Sequence, residues 1–82
     1  MITLRQFTSI CWYAQEILVV DYYKVQGRMS VEEFREIAIA EITPAEITPH
    51  ALRNWNCVYE ELANRVVGSY GVVDGVLIIE VK

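Results

Sequence analysis

Histidine and cysteine are scarce in this sequence, and their scarcity argues against a zinc site. His50 is the single histidine, and the two cysteines, Cys11 and Cys57, form no CxxC pair. Because a tetrahedral zinc site needs four ligands, these three residues do not complete one. Each cysteine lies among apolar neighbours, as small buried thiols do, and two cysteines make no disulfide framework. We expect no cofactor and a reduced, cytoplasmic setting, with a single Cys11–Cys57 bridge left open.

Long apolar runs are also missing. The continuous apolar stretches, such as residues 17–20 and 76–79, are only four or five residues long. A membrane-spanning helix needs about twenty apolar residues, so we expect no membrane segment. The first residues, MITLRQ, lack the basic region and long apolar stretch of a signal peptide.

Basic residues are few. Seven Lys and Arg stand against eleven Asp and Glu, which gives a net charge of −4. Nucleic-acid binding relies on cations that neutralise phosphates, and these cations are scattered along the chain, so we expect no direct nucleic-acid partner. The acidic surface either faces a basic protein or simply keeps the chain soluble.

The sequence is rich in apolar residues for its length. They make up 54% of its 82 positions, although so small a chain leaves much of its surface exposed to water. The surplus predicts that some apolar surface is buried between subunits or against a partner. We therefore expect one domain, residues 1–82, that forms a homo-oligomer.

Two capping boxes mark predicted helix starts. Thr3 with Gln6, and Ser30 with Glu33, can each satisfy two free backbone N–H groups reciprocally. The apolar spacing after Ser30 predicts a second helix whose buried stripe reaches Ile42.

One strand and one further helix are predicted in the body of the chain. The consecutive, mostly β-branched run at residues 17–20 predicts a strand over residues 16–23 that is covered on both faces, because apolar and polar residues do not alternate in the run. The duplicated segment EITPA/EITPH places Thr and Pro where helices begin, and it leads into a third helix at about residues 49–64.

The clearest local signal is the Asp74-Gly75 pair between two apolar runs, residues 66–73 and 76–81. Asp-Gly favours a type I′ turn, since both residues tolerate positive φ. The register that this turn sets pairs Val73 with Val76, Val72 with Leu77, Gly71 with Ile78 and Tyr70 with Ile79.

The predicted fold class is α+β, in the element order α-β-α-α-β-β. We expect a small three-stranded, antiparallel-type sheet with a C-terminal β-hairpin, residues 65–82, packed by helices. Gly68 and Gly71 predict a bulge, a bend or the close approach of another backbone or a ligand in the first hairpin strand. One hairpin face is left to be covered by the third helix or by a second subunit.

No catalytic constellation is evident in the sequence. The carboxylates lie mainly on the polar sides of predicted helices, where solvation keeps them from acid–base work. Asp21, at the end of the buried strand, is the one acid whose position suits a function, and capping a turn is the simpler explanation for it. We therefore expect no enzymatic activity.

Aromatic residues are better candidates for a site, because so small a core does not readily bury all nine of them. Tyr and Trp are favoured at interfaces, where one end of the ring is dry and the other wet. We place Tyr22, Tyr23 and Lys24, at the exit of the strand, first. The full set of predicted binding residues is Tyr22, Tyr23, Lys24, Arg28, Arg53, Trp55, Tyr59 and Arg65.

The two ends of the chain carry a resemblance. ITLR at residues 2–5 leads to the strand ILVVD at 17–21, and NRVV at 64–67 is followed by DGVLIIEV at 74–81. Together they resemble short accessory proteins encoded by bacteriophages and mobile elements of Gram-positive bacteria. Residues 32–62 look like an insertion relative to that pattern. The resemblance implies action by binding, because such proteins commonly block host defences, as anti-CRISPR proteins do, or sequester a nucleotide second messenger.

Three functions follow as hypotheses. The leading one is a phage-type inhibitor that binds a host defence protein in the bacterial cytoplasm. The second is an oligomeric sponge for a cyclic nucleotide signal, in which Arg and Lys meet phosphates while Tyr or Trp stacks on a base. The third is a housekeeping protein-interaction module.

Overall fold

The computed structural model describes residues 1–9, 15–42 and 60–82, and these form an α+β fold, as predicted. The helices in these ranges are α1 (Leu4–Ser9), α2 (Val31–Ile37) and α3 (Glu60–Ala63), with a 3₁₀ turn at Tyr22–Lys24. The strands are β1 (Ile17–Asp21), β2 (Ala40–Ile42), β3 (Val67–Val73) and β4 (Val76–Val81).

The four strands form one mixed sheet in the order β2-β1-β4-β3. The two central strands, β1 and β4, are parallel, with Ile17 opposite Leu77 and Asp21 opposite Val81. Each outer strand is antiparallel to its neighbour. The carboxyl ends of β1 and β4 therefore meet at the same end of the sheet.

The prediction of a three-stranded, antiparallel-type sheet is wrong in strand number and in strand direction. Helix α2 ends at Ile37, and Ala38 is already extended, with ψ of 132°. The backbone N–H of Ile39 then donates to the carbonyl of Val19 at 2.7 Å, and Ile42, predicted in the helix, lies in β2. Residues 37–40 alternate Ile with Ala, and Glu41 and Ile42 then break the alternation. This pattern suits a strand as well as a helix, and pairing with the edge of β1 decides between them.

Helices cover both faces of the sheet, and each face has its own apolar core. Strand β1 is buried on both faces, as its continuous apolar run predicts. One core comprises Leu4, Ile17, Val19, Leu62, Leu77, Ile79 and Val81, from the sheet, α1 and α3. The other comprises Leu18, Val20, Val31, Phe34, Val76 and Ile78, from the sheet and α2.

The closing hairpin has the predicted turn and register. Asp74 and Gly75 have φ of 50° and 78°, as a type I′ turn requires. All four predicted cross-strand pairs, from Val73–Val76 to Tyr70–Ile79, are present. The register shifts between Val67 and Ser69, so the predicted bulge lies at Gly68.

Both predicted capping boxes are confirmed. The backbone N–H of Thr3 donates to Gln6 Oε1 at 2.9 Å, and that of Gln6 donates to Thr3 Oγ1 at 3.2 Å. Ser30 and Glu33 exchange the same two bonds, each at 3.2 Å. Each box satisfies N–H groups that a helix start leaves without intrahelical partners.

Several other predictions fall outside the described residues, namely those on His50, Cys11, Cys57 and most of the third helix. No helix in the described ranges is long and apolar enough to cross a membrane.

Candidate functional site

The end of the sheet where β1 and β4 finish together gathers polar and aromatic side chains. Asp21 ends β1, and Tyr22 and Tyr23 follow it in the 3₁₀ turn. Lys82 follows β4, and Arg65 reaches this end from the segment before β3. We call Asp21, Tyr22, Tyr23, Arg65 and Lys82 the strand-end cluster.

Asp21 holds the backbone of the strand-end cluster in place. Its Oδ1 accepts a hydrogen bond from the backbone N–H of Tyr23 at 2.9 Å, which caps the 3₁₀ turn. Its Oδ2 lies 3.7 Å from Nη2 of Arg65. The Nε–H of Arg65 donates to the carbonyl of Lys82 at 2.8 Å. Asp21 and Arg65 thereby tie the exits of β1 and β4 together.

The two tyrosines form the exposed part of this cluster. Tyr23 is 74% exposed and Tyr22 is 37% exposed, with their ring centroids 5.3 Å apart in an edge-to-face arrangement. Nζ of Lys82 lies 4.8 Å from the centroid of the Tyr22 ring, within the range of a cation–π contact. The ring of Tyr22 also lies against Gly68, where a Cβ atom would come within 2.7 Å of its Cδ2.

A groove lies beside the strand-end cluster, between the N-terminal segment and β3. Its volume is about 320 Å³, and it is lined by Ile2, Phe7, Val67, Gly68, Ser69 and Tyr70. The rings of Phe7 and Tyr70 meet at 4.8 Å between centroids. Gly68 borders both the groove and the Tyr22 ring, so the two surfaces are continuous.

The structure brings together some of the predicted binding residues. Tyr22, Tyr23 and Arg65 meet in the strand-end cluster. Lys24 ends the 3₁₀ turn and Arg28 follows the bend at Gly27, and both are exposed. The other three predicted binding residues, Arg53, Trp55 and Tyr59, lie outside the described residues.

The predicted binding residues do not include two exposed apolar side chains on β3. Tyr70 is 63% exposed and Val72 is 66% exposed. The hairpin register places both on the face that their partners Ile79 and Leu77 bury. The register alone predicted that shared face, but exposure depends on β3 being the outer strand.

A second charged group lies at the opposite edge of the sheet. Nη2 of Arg35 donates to Glu16 Oε1 at 2.9 Å, and its Nε donates to Glu41 Oε1 at 3.4 Å. The hydrogen bond to Glu16 is the main cause that raises the pKa of Arg35. These contacts tie α2 to the segment before β1 and to β2, which is a structural role.

The described side chains offer recognition surfaces. Among residues 1–9, 15–42 and 60–82, no group of three or more His, Cys, Asp or Glu is placed to hold a metal ion. Exposed tyrosines beside a lysine and an apolar groove suit contact with a protein or with a flat, anionic ligand. The chain matches no protein-family model, no curated protein and no solved structure.

Proposed function

We propose that this chain is a non-enzymatic, phage-type accessory protein that inhibits a host defence system by binding one of its proteins. The strand-end cluster is the contact surface in this proposal. The association with phages rests on the resemblance of the two chain ends, and the mode of action rests on the surface described above.

One observation carries the proposal of a binding surface. Tyr22 and Tyr23 project from a short turn whose backbone is capped by Asp21 and fastened through Arg65. A turn whose backbone is held in this way needs little further ordering when a partner covers it. Tyrosine is also among the residues that dominate binding energy at protein interfaces. An exposed tyrosine pair on such a turn is therefore suited to anchor a protein contact.

The test uses phage growth and one exposed ring. The chain is expressed in a Gram-positive host with and without a CRISPR system or another defence system, and the efficiency of phage plating is measured. We expect rescue of plating only where the target defence is present. Tyr23→Ala should weaken binding to the identified target by about 30-fold, which corresponds to ~2 kcal/mol at an interface hot spot.

Two control variants make this test specific. Tyr23→Phe keeps the ring and should retain most of the rescue. Glu36→Ala changes an exposed residue of α2, away from the cluster, and should retain all of it. If no defence system is relieved, or if Tyr23→Ala inhibits as well as the unchanged chain, the proposal is wrong.

A nucleotide sponge is the second candidate, and the position of Lys82 favours it. A cation 4.8 Å from the centroid of the Tyr22 ring places a phosphate-binding group beside a stacking surface. Arg65 is less available, because its guanidinium already contacts a carbonyl and the Asp21 carboxylate. Calorimetry against a panel of cyclic nucleotides should give heat that Lys82→Met abolishes if this function holds. If no nucleotide in the panel gives heat of binding, the sponge hypothesis is wrong and the interaction module is left.

A further inference from the structure

Within residues 1–9, 15–42 and 60–82, β3 is an edge strand, and no strand lies on its outer side over residues 69–73. In a two-residue hairpin the pair that flanks the turn, here Val73–Val76, exchanges its backbone hydrogen bonds. Because this pairing alternates along the strand, Gly71 also bonds inward, while Tyr70 and Val72 direct their N–H and C=O groups outward. These are also the two large apolar residues of β3 whose side chains are exposed.

The N-terminal segment covers only the beginning of this edge. Thr3 pairs with Val66 in an antiparallel bridge, and the N–H of Val67 donates to the carbonyl of Ile2 at 2.9 Å. Beyond that point the bulge at Gly68 interrupts the strand. In the described part of the chain, the edge from 69 to 73 has no further strand beside it.

Apart from the bulge at Gly68, the edge carries no safeguard against strand addition over residues 69–73. Residues 69–73 read SYGVV, without a charge or a proline, although edge strands are commonly protected by Lys, Pro or inward-pointing charges. At the other edge of the sheet, β2 carries Glu41, which pairs with Arg35. An uncharged strand can lie antiparallel to a copy of itself without placing like charges opposite each other.

We propose that a second copy of this chain adds to the β3 edge, antiparallel, about a two-fold axis at Gly71. Tyr70 of each copy then lies opposite Val72 of the other, and each such pair exchanges its outward N–H···O bonds. A two-fold axis perpendicular to the sheet keeps the same face of both copies together. The side chains of Tyr70 and Val72 from both copies therefore become cross-strand neighbours in a continuous sheet.

Charge complementarity supports this register. With Gly71 at the axis, Asp74 of one copy lies opposite Gly68 of the other. The Lys82 side chain lies against Gly68, where a Cβ atom would be 3.0 Å from its Cε. Each turn carboxylate thus approaches the lysine of the other copy, and the symmetry makes this contact twice.

Neighbouring registers fit less well. An axis at Tyr70 places Val73 of one copy opposite Val67 of the other, whose N–H already bonds to Ile2. An axis at Val72 places Tyr70 opposite Asp74, inside the turn. An axis midway between two residues would place the outward N–H and C=O groups of one copy opposite residues whose groups point inward. Only the axis at Gly71 uses the whole open edge.

The first test measures the solution mass by sedimentation over a range of concentrations. We expect a monomer–dimer equilibrium of the unchanged chain. Val72→Lys should raise the dimer dissociation constant by about tenfold or more, because two cross-strand contacts are lost at once. Tyr23→Ala, in the strand-end cluster, should leave it unchanged, so this proposal and the proposed function can fail separately. A chain that stays monomeric at all concentrations overturns the proposal and leaves the edge to a strand of another protein.

The second test fixes the register by oxidation. Gly71 has open space where a side chain would begin, and directly opposed residues outside the hydrogen-bonded pairs have Cα atoms about 4.5 Å apart, which suits a disulfide. Gly71→Cys should therefore give a covalent dimer well above the background of the unchanged chain, which retains Cys11 and Cys57. Ser69→Cys should not exceed that background, because the two positions would be about 13 Å apart. Equal cross-linking of both variants, or none, contradicts the register.

Discussion

Strands β3 and β4 belong to one hairpin and have similar apolar character, yet their burial is opposite. Five of the six β4 residues are buried, and Ile79 and Val81 have no exposure. In β3, Tyr70 and Val72 are more than half exposed, although they face Ile79 and Leu77 across the ladder. Apolar residues beside a hairpin turn thus mark a strand without saying how well it is covered.

The neighbours of each strand explain the difference. β4 lies between β1 and β3 and has helices on both of its faces. Among the described strands, β3 has only β4 beside it over most of its length. Burial is therefore a property of position in the sheet. An apolar strand left at the edge becomes either a binding surface or a hazard for aggregation.

The largest loss of stability should come from a substitution at a buried position in β4. Ile79→Ala removes a fully buried side chain from the core beside Leu4 and should lower the free energy of unfolding by about 2–5 kcal/mol. Val72→Ala, on the neighbouring strand, should change it by less than about 0.5 kcal/mol. Urea denaturation, at concentrations low enough to keep the chain monomeric, measures both. Equal losses would show that β3 is covered in solution.

A second, smaller contrast lies within β3 itself. Gly68→Ala places a Cβ atom 2.7 Å from Cδ2 of Tyr22, so the ring must shift, and we expect a loss of about 1–3 kcal/mol. Gly71→Ala meets nothing within 4 Å and should instead gain about 0.5–1 kcal/mol, because glycine weakens a strand interior. Denaturation curves give both signs, and the NMR signals of Tyr22 should move only in the first variant. A gain in both would mean that the bulge needs no glycine.

The features that could be predicted from the sequence are those set by local chemistry. The Asp74-Gly75 turn fixed the hairpin register, and the Thr3 and Ser30 boxes fixed two helix starts. The parallel pairing of β1 with β4 could not be predicted, because partner choice depends on how distant segments pack. β2 was missed because the spacing of Ala38 and Ile42 also suits the buried stripe of a helix.

The features of the candidate site that could be predicted are likewise the local ones. Tyr22 and Tyr23 were predicted as an exposed pair because they follow a buried strand, and the structure places them at the surface. The contact between Asp21 and Arg65 joins distant parts of the chain and has no local signature. The open edge at Tyr70 and Val72 follows only from the strand order, which no local sequence pattern indicates.

The smallest change in stability should come from substitutions at the two edges of the sheet. Arg35 anchors the β2 edge through Glu16 and Glu41, whereas residues 69–73 of β3 carry no charge. Folding raises the pKa of Arg35, so the stability it contributes is present below its usual pKa and is lost only in strong alkali. Arginine titration therefore adds no pH dependence between roughly pH 6 and 9.

Arg35→Gln should destabilise the chain slightly, less than Gly68→Ala, and the loss should shrink as sodium chloride screens the pairs. The effect of Val72→Ala should not vary with salt, and a loss at Arg35 that persists in high salt would mean that packing of its side chain, rather than its charge, holds the β2 edge.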